Sequence, residues 1–272
     1  ANSEIYEVKS GALQQACLQV KDDDTSESVY ELPDSIESTR LAEGHFRGEV
    51  WGLATHPTKN LYATGGDDCT VRLWSVGKES DGGCRNMRAH IRLGHRCRCL
   101  SYSYANAYNQ GKPHLAIGMN TGKVVIVDGE LEGCSNDNND NNSYLVTLSD
   151  AKEWIQTMTY SFEGTTFAVG SHDKSIYIYD VLQHYSLRGK LQHGHSSYVV
   201  HMDFGCMLHD GEHMDEHAQI EPNERSIKAE DLYLQSSCGN LELKFWNIGS
   251  MSEEKVASKV KDVQWATWTN SL

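Results

Sequence analysis

The sequence lacks long apolar runs, paired-cysteine motifs and an excess of positive charge. No run of 18 apolar residues occurs among the 272, so we expect no membrane-spanning helix. The eight cysteines form no CxxC pair and no regular framework, which predicts a reduced, cytosolic protein. Strict alternation along a strand would place Cys97 and Cys99 on one face. We interpret them as ordinary strand cysteines, with a metal or redox role as the alternative. The formal net charge of −14 argues against nucleic-acid binding, because phosphate contacts need clustered cations.

The usual signatures of an enzyme are missing as well. We find no glycine-rich phosphate loop, no nucleophile elbow and no firm metal-ligand spacing in the sequence. We therefore expect no catalytic residue, no cofactor and no bound metal. Of the function classes that we considered, an enzyme is therefore the least favoured.

What the chain does contain is a repeat of short strands. The clearest copy is residues 65–74, GGDDCTVRLW, preceded by a Gly-His pair at 44–45. A Gly-His pair, two short strands and Asp-x-Thr-apolar-basic-apolar-Trp form the signature of one WD40 blade. The strands of a blade are labelled A to D in chain order. Three further copies follow, and their A strands are predicted at 97–104, 154–162 and 198–204. The pattern predicts an all-β fold, a WD40-type β-propeller with four recognisable blades plus partial blades at both ends.

The partial blades affect how the chain is divided. Residues 4–8 and 38–43 are predicted as strands C and D of one partial blade, and residues 259–268 as the start of another strand pair. Four blades can close a ring, but half-blades at both ends favour a piece of a larger propeller. We treat residues 1–272 as a single propeller region with acidic loop insertions at 17–37, 129–142 and 206–231.

The negative charge is concentrated in those three insertions. They hold 19 of the 38 acidic residues and only three of the 24 basic ones. The first two lie between strands C and D and the third lies between A and B, so antiparallel pairing puts all three on one rim. We expect a negative, mobile fringe there, opposite a rim of short loops. Solubilising decoration is the simpler alternative for the fringe.

The third insertion also carries histidines at four-residue spacing, His209, His213 and His217. On a helix they would share a face and could bind Zn²⁺ or Ni²⁺. A solvated histidine cluster in a loop without a partner cysteine motif is the preferred interpretation.

A polar side-chain set accompanies the repeat. In the first blade it comprises His45, Thr64, Asp68 and Trp74. The combination of a histidine, an aspartate and a hydroxyl resembles a catalytic triad in residue types. A satisfied buried network that stiffens the blade is the better interpretation, since the Trp indole can only donate. The other blades keep fewer members, so we expect the first blade to be the most rigid. The corresponding residues elsewhere are His95, Asp173, His195, Asn240 and Trp246.

A binding surface is expected on the short-loop rim, where strands A start and B–C turns lie. Aromatic and arginine side chains are frequent interface anchors. Trp51 and Trp154 are alternatively plain core residues, and that interpretation is preferred for them. Charge reversal at Arg96 and Arg98 is predicted to weaken partner binding. The candidate residues are Glu49, Trp51, Asp67, Arg96, Arg98, Asn120, Lys152, Trp154, His172, Ser197 and Tyr198.

Several segments go beyond a generic blade. They are residues 49–57, 115–128, 168–181, 194–199 and 261–268. Together they resemble the second, C-terminal propeller of the echinoderm microtubule-associated protein-like family, in order, over about residues 38–270. The most specific part is SHDKSIYIY at 171–179, because generic WD40 blades have Trp-Asp there.

This resemblance implies a non-enzymatic cytoskeletal scaffold that binds tubulin or microtubules and partner proteins in the cytoplasm. The family's coiled coil, basic region and first propeller are absent from these residues. Microtubule surfaces are acidic, so the −14 chain would be repelled unless its fringe points away. A generic WD40 adaptor in a larger complex, such as a substrate receptor, is the alternative function.

Overall fold

Alternating apolar residues build short antiparallel strands throughout the computed structural model. It describes residues 5–8, 38–42, 45, 48–77, 85–104, 111–132, 134, 144–191, 194–207 and 228–267. The chain divides into two compact units, Ala1–Gly48 and Glu49–Leu272. In the first unit, strands β1 (Ile5–Val8) and β2 (Ser38–Ala42) pair antiparallel. This confirms both strands of the predicted N-terminal half-blade, while the insertion at 17–37 lies outside the described residues.

The second unit contains four antiparallel sheets, each following chain order from strand A to strand D. The first comprises β3 (Val50–Thr55), β4 (Leu61–Gly66), β5 (Thr70–Val76) and β6 (Arg85–Arg92). The second comprises β7 (Cys97–Tyr102), β8 (His114–Met119), β9 (Val124–Asp128) and β10 (Val146–Leu148). The third comprises β11 (Ile155–Tyr160), β12 (Thr166–Ser171), β13 (Ile176–Asp180) and β14 (Ser186–Leu191). The fourth comprises β15 (Val199–Met207), β16 (Leu232–Cys238), β17 (Leu243–Asn247) and β18 (Ser252–Glu253). These are the four predicted blades.

The end of the described chain differs from the prediction. Where a new strand pair was expected, a short helix α1 (Ala257–Val260) is followed by one strand, β19 (Val263–Trp265). Strand β19 pairs with the end of β15 and becomes a fifth strand of the fourth sheet. The reason is local: β15 would otherwise present unpaired backbone groups at its edge, and Gly205 leaves room for Val263 and Trp265.

The apolar core lies between successive sheets. Strand β3 packs against β7, β7 against β11, and β11 against β15. The first residue of each later strand A sits over a glycine of the preceding sheet. A Cβ on Gly118, for example, would lie 2.8 Å from Ile155 Cγ2. Gly65 and Gly170 bear the same relation to Cys97 and Val199, respectively. Small residues at this position therefore set how closely neighbouring sheets approach.

Candidate functional site

The short-loop rim is defined by a backbone hydrogen bond that recurs in all four sheets. The first residue of the B–C turn donates its N–H to the carbonyl oxygen of the residue just before strand A. The N···O distances are 2.9 Å for Asp67–Glu49, 3.1 Å for Asn120–Arg96, 2.9 Å for His172–Trp154 and 3.0 Å for Gly239–Tyr198. The starts of strands A and the B–C turns thus share one rim, as the topology predicted.

The other ends of the strands form the opposite rim, where the second and third acidic insertions begin and end. Asp128 pairs with His114 there, and Cys206 pairs with Leu232. Most of both insertions lies outside the described residues, and so do His209, His213 and His217. A negative fringe on that rim therefore stays a prediction.

A β-bulge follows the first residue of every strand A. The register shifts between Val50 and Gly52, and it shifts at the equivalent place in β7, β11 and β15. Such a bulge leaves one residue unpaired and re-aims its side chain. The extra residues are Trp51, Arg98, Gln156 and Val200.

The bulge in β7 also corrects the expectation for its two cysteines. Cys97 packs against Gly65 of the first sheet, whereas the Cys99 thiol lies 3.5 Å from the carbonyl oxygen of Ile155 in the third sheet. The two side chains therefore point to opposite neighbours instead of sharing a face. The extra residue, Arg98, interrupts the alternation on which the prediction relied.

Five side chains on this rim stack in a continuous row. The Arg98 guanidinium lies 4.8 Å from the ring centroid of Trp51 and 4.4 Å from that of Trp154. The Trp154 ring lies 5.3 Å from His172, which stacks on Tyr198 at 4.6 Å with an interplanar angle of 13°. We call these five residues the aromatic ladder. It takes members from all four blades, from strands β3 and β7 and from the turns beside β11, β12 and β15.

The ladder presents exposed aromatic surface around a confined cation. Trp51, Trp154 and Tyr198 are 48%, 42% and 41% exposed, whereas Arg98 is only 9% exposed. The cation–π attraction between a guanidinium and an indole ring is worth about 0.5–2 kcal/mol, so the two tryptophans hold the Arg98 side chain in place. Asp67 Oδ1 lies 3.4 Å from a terminal nitrogen of Arg98 and balances part of its charge.

His172 joins the two aromatic members at one end of the ladder. Its Nε2 lies 2.9 Å from Gln156 Oε1, so the third bulge residue orients the ring. Burial lowers the pKa of His172; Glu153 opposes this shift and Arg98 adds to it. A neutral imidazole is therefore held flat against Tyr198 at physiological pH.

The structure brings together only part of the predicted rim set. Trp51, Arg98, Trp154, His172 and Tyr198 form the ladder, and Asp67 contacts it. The interpretation of Trp51 and Trp154 as core residues is wrong, because one sits on a bulge and the other precedes β11. Gln156 is a contributor that the sequence reasoning missed. The remaining candidates lie on the same rim outside the stack: Glu49, Arg96, Asn120, Lys152 and Ser197.

In the first blade, the structure shows part of the predicted polar set. Trp74 donates its indole N–H to Thr64 Oγ1 at 2.8 Å. Asp68 accepts from the backbone and hydroxyl of Thr70 at 3.0 and 2.8 Å, and lies 3.6 Å from Arg72. His45 belongs to the other compact unit, so its part in this set stays a prediction.

The second blade departs furthest from the polar pattern. His95 is exposed, and it joins no buried network within the part of the chain that the structure describes. The position equivalent to Thr64 is Ile117, two residues before the end of strand B, and the position of Trp74 is taken by Val127. Both are fully buried apolar residues, so these two positions offer His95 no polar partner.

The third blade keeps its aspartate but shifts the partner. Asp173 accepts from the Tyr177 hydroxyl at 2.6 Å and from the Lys152 backbone at 3.1 Å. Tyr179, the residue aligned with the blade tryptophan, donates to Asp150 at 3.0 Å instead. Two tyrosines of β13 therefore bond to two different aspartates, Tyr177 to Asp173 and Tyr179 to Asp150.

The fourth blade holds the more deeply buried set. His195 Nε2 lies 2.7 Å from Ser236 Oγ, which also accepts the Trp246 indole N–H at 2.8 Å. Asn240, predicted to replace the aspartate, turns outward and donates to Ser196 Oγ. The carboxylate beside His195 comes from Glu242, two residues later, which lies 3.5 Å from its Nδ1. Sequence alignment of the turns alone missed Glu242.

Comparison with known proteins places this repeat in a family. A family model described as the second β-propeller of echinoderm microtubule-associated protein matches residues 50–218. The chain belongs to the echinoderm microtubule-associated protein family. The resemblance seen in the sequence is confirmed, and the chain is a WD40 propeller domain related to microtubule-associated proteins.

Individual relatives of this family member are much longer. The 77 kDa echinoderm microtubule-associated protein of Strongylocentrotus purpuratus is 31% identical over 240 residues, covering 87% of this chain and 28% of that protein. Echinoderm microtubule-associated protein-like 4 of Xenopus tropicalis is 31% identical over 232 residues, covering 84% and 20%. The chain thus spans less than a third of either relative.

A solved structure, the WD40 β-propeller domain of Doa1, is similar with a TM-score of 0.50 and 13% identity, over 81% of this chain and 57% of that one. At this identity the likeness shows the WD40 propeller fold alone. Among the described residues, no helix combines the length and apolar character needed to cross a membrane.

Proposed function

We propose that this chain is a non-enzymatic scaffold domain whose aromatic ladder docks protein partners, with tubulin or microtubules as the principal ones. The observation that carries the proposal is the ladder itself. Three large aromatic side chains stay 41–48% exposed in one row, around an arginine held in place by stacking. Trp, Tyr and Arg are the residues that most often dominate binding energy at protein interfaces.

The charge distribution supports an acidic partner on this rim. The three insertions carry 16 more acidic than basic residues, so the rest of the chain has a formal charge near +2. Two insertions start from the opposite rim, and exposed Arg96 and Lys152 flank the ladder. A tubulin surface that meets the ladder would thus lie away from these two insertions.

The names of the relatives support the choice of tubulin over an unrelated protein. Both are named as microtubule-associated or as similar to such a protein, which supports a site of action in the cytoplasm, on the cytoskeleton, as part of this proposal. A WD40 adaptor in a larger complex remains the second candidate, and the same ladder would serve it. The two functions differ in partner and share the docking surface.

The test is a binding titration of the chain against soluble tubulin and against polymerised microtubules, at low and raised salt. Tyr198→Ala removes one ladder member and is expected to weaken binding about tenfold, or 1.4 kcal/mol. Tyr104→Ala is the matched control, because Tyr104 is 42% exposed and lies in the A–B connection on the opposite rim. We expect it to change affinity less than twofold.

The outcomes separate the alternatives. If both tyrosine variants lose the same affinity, or if neither loses any, the ladder is refuted as the docking surface. Absence of binding to both forms of tubulin would refute the microtubule assignment and favour the adaptor. Arg96→Glu tests the electrostatic part, since Arg96 is exposed whereas Arg98 is packed between indoles. Its effect on affinity should shrink as salt rises.

A further inference from the structure

Three side chains with metal-binding atoms converge at the B–C turn of the fourth blade. They are His195, which precedes β15, Cys238, which ends β16, and Glu242, which precedes β17. Glu242 Oε2 lies 3.5 Å from His195 Nδ1 and 3.4 Å from Cys238 Sγ. All three ligand atoms lie within 4.8 Å of one another.

One nitrogen of the histidine in this cluster makes no hydrogen bond within the described residues. The His195 side chain is 1% exposed, and its buried Nδ1 lies 3.5 Å from Glu242 Oε2, which already accepts the Ser196 backbone N–H at 2.9 Å. Its other nitrogen, Nε2, lies 2.7 Å from Ser236 Oγ. When Nε2 carries the proton, Nδ1 turns a lone pair toward that carboxylate, and a cation between the two atoms would bind both.

Two of the three ligand distances agree with a tetrahedral site. Zinc–ligand bonds of about 2.0 Å to nitrogen or oxygen and 2.3 Å to sulfur predict N···O and S···O separations of about 3.3 and 3.5 Å. The observed values are 3.5 and 3.4 Å. The third edge, Nδ1 to Sγ, is at most 4.8 Å, and metal binding would require it to shorten toward about 3.5 Å.

We propose that His195, Cys238 and Glu242 bind one zinc-class divalent cation, with water as the fourth ligand. The mixed imidazole, thiolate and carboxylate set suits Zn²⁺ or Co²⁺ better than Mg²⁺ or Ca²⁺, which prefer oxygen ligands. On binding, the Cys238 thiol loses its proton to solvent and the sulfur–metal bond takes its place. The Glu242 side chain is 36% exposed, so the site has an open path for metal and water.

The surroundings hold the ligands in place. The Trp246 indole and Ser236 hydroxyl fix the imidazole from behind, as outer-shell partners do at metal sites. The turn itself is closed by hydrogen bonds from Leu241 N to Cys238 O at 2.9 Å and from Cys238 N to Glu242 O at 3.2 Å. Residues 238 and 242 are therefore kept at metal-bridging distance by the backbone.

The same positions in the other three turns carry different chemistry. The residue equivalent to Cys238 is Gly66, Met119 or Ser171, and the residue equivalent to Glu242 is Thr70, Lys123 or Ser175. A carboxylate that only replaced the usual aspartate would not need a neighbouring thiol. This inference does not depend on the proposed docking function.

The test is calorimetric titration of Zn²⁺ into the metal-free chain, together with the absorption spectrum of its Co²⁺ form. We expect one ion per chain at this site and a thiolate-to-cobalt charge-transfer band. Cys238→Ser keeps a hydroxyl near Glu242 but should abolish the band and weaken Zn²⁺ binding about tenfold or more. Cys69→Ser is the matched control, since Cys69 is a half-exposed cysteine in the B–C turn of the first blade.

Glu242→Gln provides a second test that leaves the thiol in place, and it should weaken Zn²⁺ binding while retaining the cobalt charge-transfer band. His195 is left intact because it also holds Ser236. Absence of Zn²⁺ binding by the parent chain would overturn the proposal. Binding that is unchanged in Cys238→Ser but lost when His209, His213 and His217 are replaced by alanine would also overturn it, and would move the site to the third insertion.

Discussion

Ser236→Ala in the fourth blade tests the buried polar set most directly. Ser236 is fully buried, and its hydroxyl is 2.7 Å from His195 Nε2 and 2.8 Å from Trp246 Nε1. Removing it orphans two groups in a dry environment, because Trp246 is only 3% exposed. Each unsatisfied group costs about 1–3 kcal/mol, so we expect a loss of about 2–6 kcal/mol in the free energy of unfolding.

The measurement is equilibrium urea unfolding followed by far-UV circular dichroism, with the m-value checked for constancy. Ser237→Ala is the control, since Ser237 is the next residue on the same strand, is 9% exposed and makes no side-chain hydrogen bond among the described residues. It should cost less than about 1 kcal/mol. If the two variants lose the same stability, the hydroxyl of Ser236 does not hold the imidazole and indole as argued.

Two further predictions concern packing and pH. Gly118→Ala places a methyl group 2.8 Å from Ile155 Cγ2 and should cost about 1–3 kcal/mol in thermal or urea unfolding, whereas Gly94→Ala meets no atom within 4 Å and should be near neutral. Although burial opposes it, the Tyr177 hydroxyl lowers the pKa of Asp173, so this carboxylate stabilises the fold above its ordinary pKa and loses that contribution as pH falls. Thermal melts of Asp173→Asn should therefore show a flatter loss of stability below about pH 4 than the parent; an unchanged slope would contradict this.

Sequence reasoning worked well where structure depends on neighbouring residues. Strand β13, IYIYD, was identifiable from its β-branched and aromatic residues, and its place in the repeat came from spacing alone. The shared rim of strand-A starts and B–C turns also followed from antiparallel topology. Such features are local or follow from connectivity, so a single sequence contains them.

The ladder depended on information that no local pattern carries. A bulge arises from the pairing of two strands, so alternation places Trp51 and Arg98 incorrectly. Stacking of Arg98 between two tryptophans further requires the packing of three sheets. A usable signal was present nonetheless: aligning the first residue of each strand A brings Trp51, Arg98 and Gln156 to one equivalent position.

Glu242 illustrates a second limit. Aligning the four B–C turns correctly makes Asn240 the equivalent of Asp68 and Asp173. The alignment also assumes, however, that the side chain at that position faces the histidine. In the structure Asn240 donates to Ser196 Oγ, and Glu242 lies beside His195 instead. The backbone does not distinguish this turn, because the residue equivalent to Leu241 is left-handed in all four turns. The change of partner therefore depends on side-chain contacts that turn alignment does not contain.

In β7, β11 and β15, the repeated bulge places a buried core residue directly before a residue that is displaced toward the rim. Cys97, Ile155 and Val199 are fully buried between sheets, while the residue after each is the one displaced toward the rim. A library randomised at positions 51, 98, 156 and 200 would therefore change the proposed docking surface with little change to the inter-sheet core. In evolutionary terms, one stable framework could acquire new specificities through these four positions, with 51 and 98 varying together because their side chains stack.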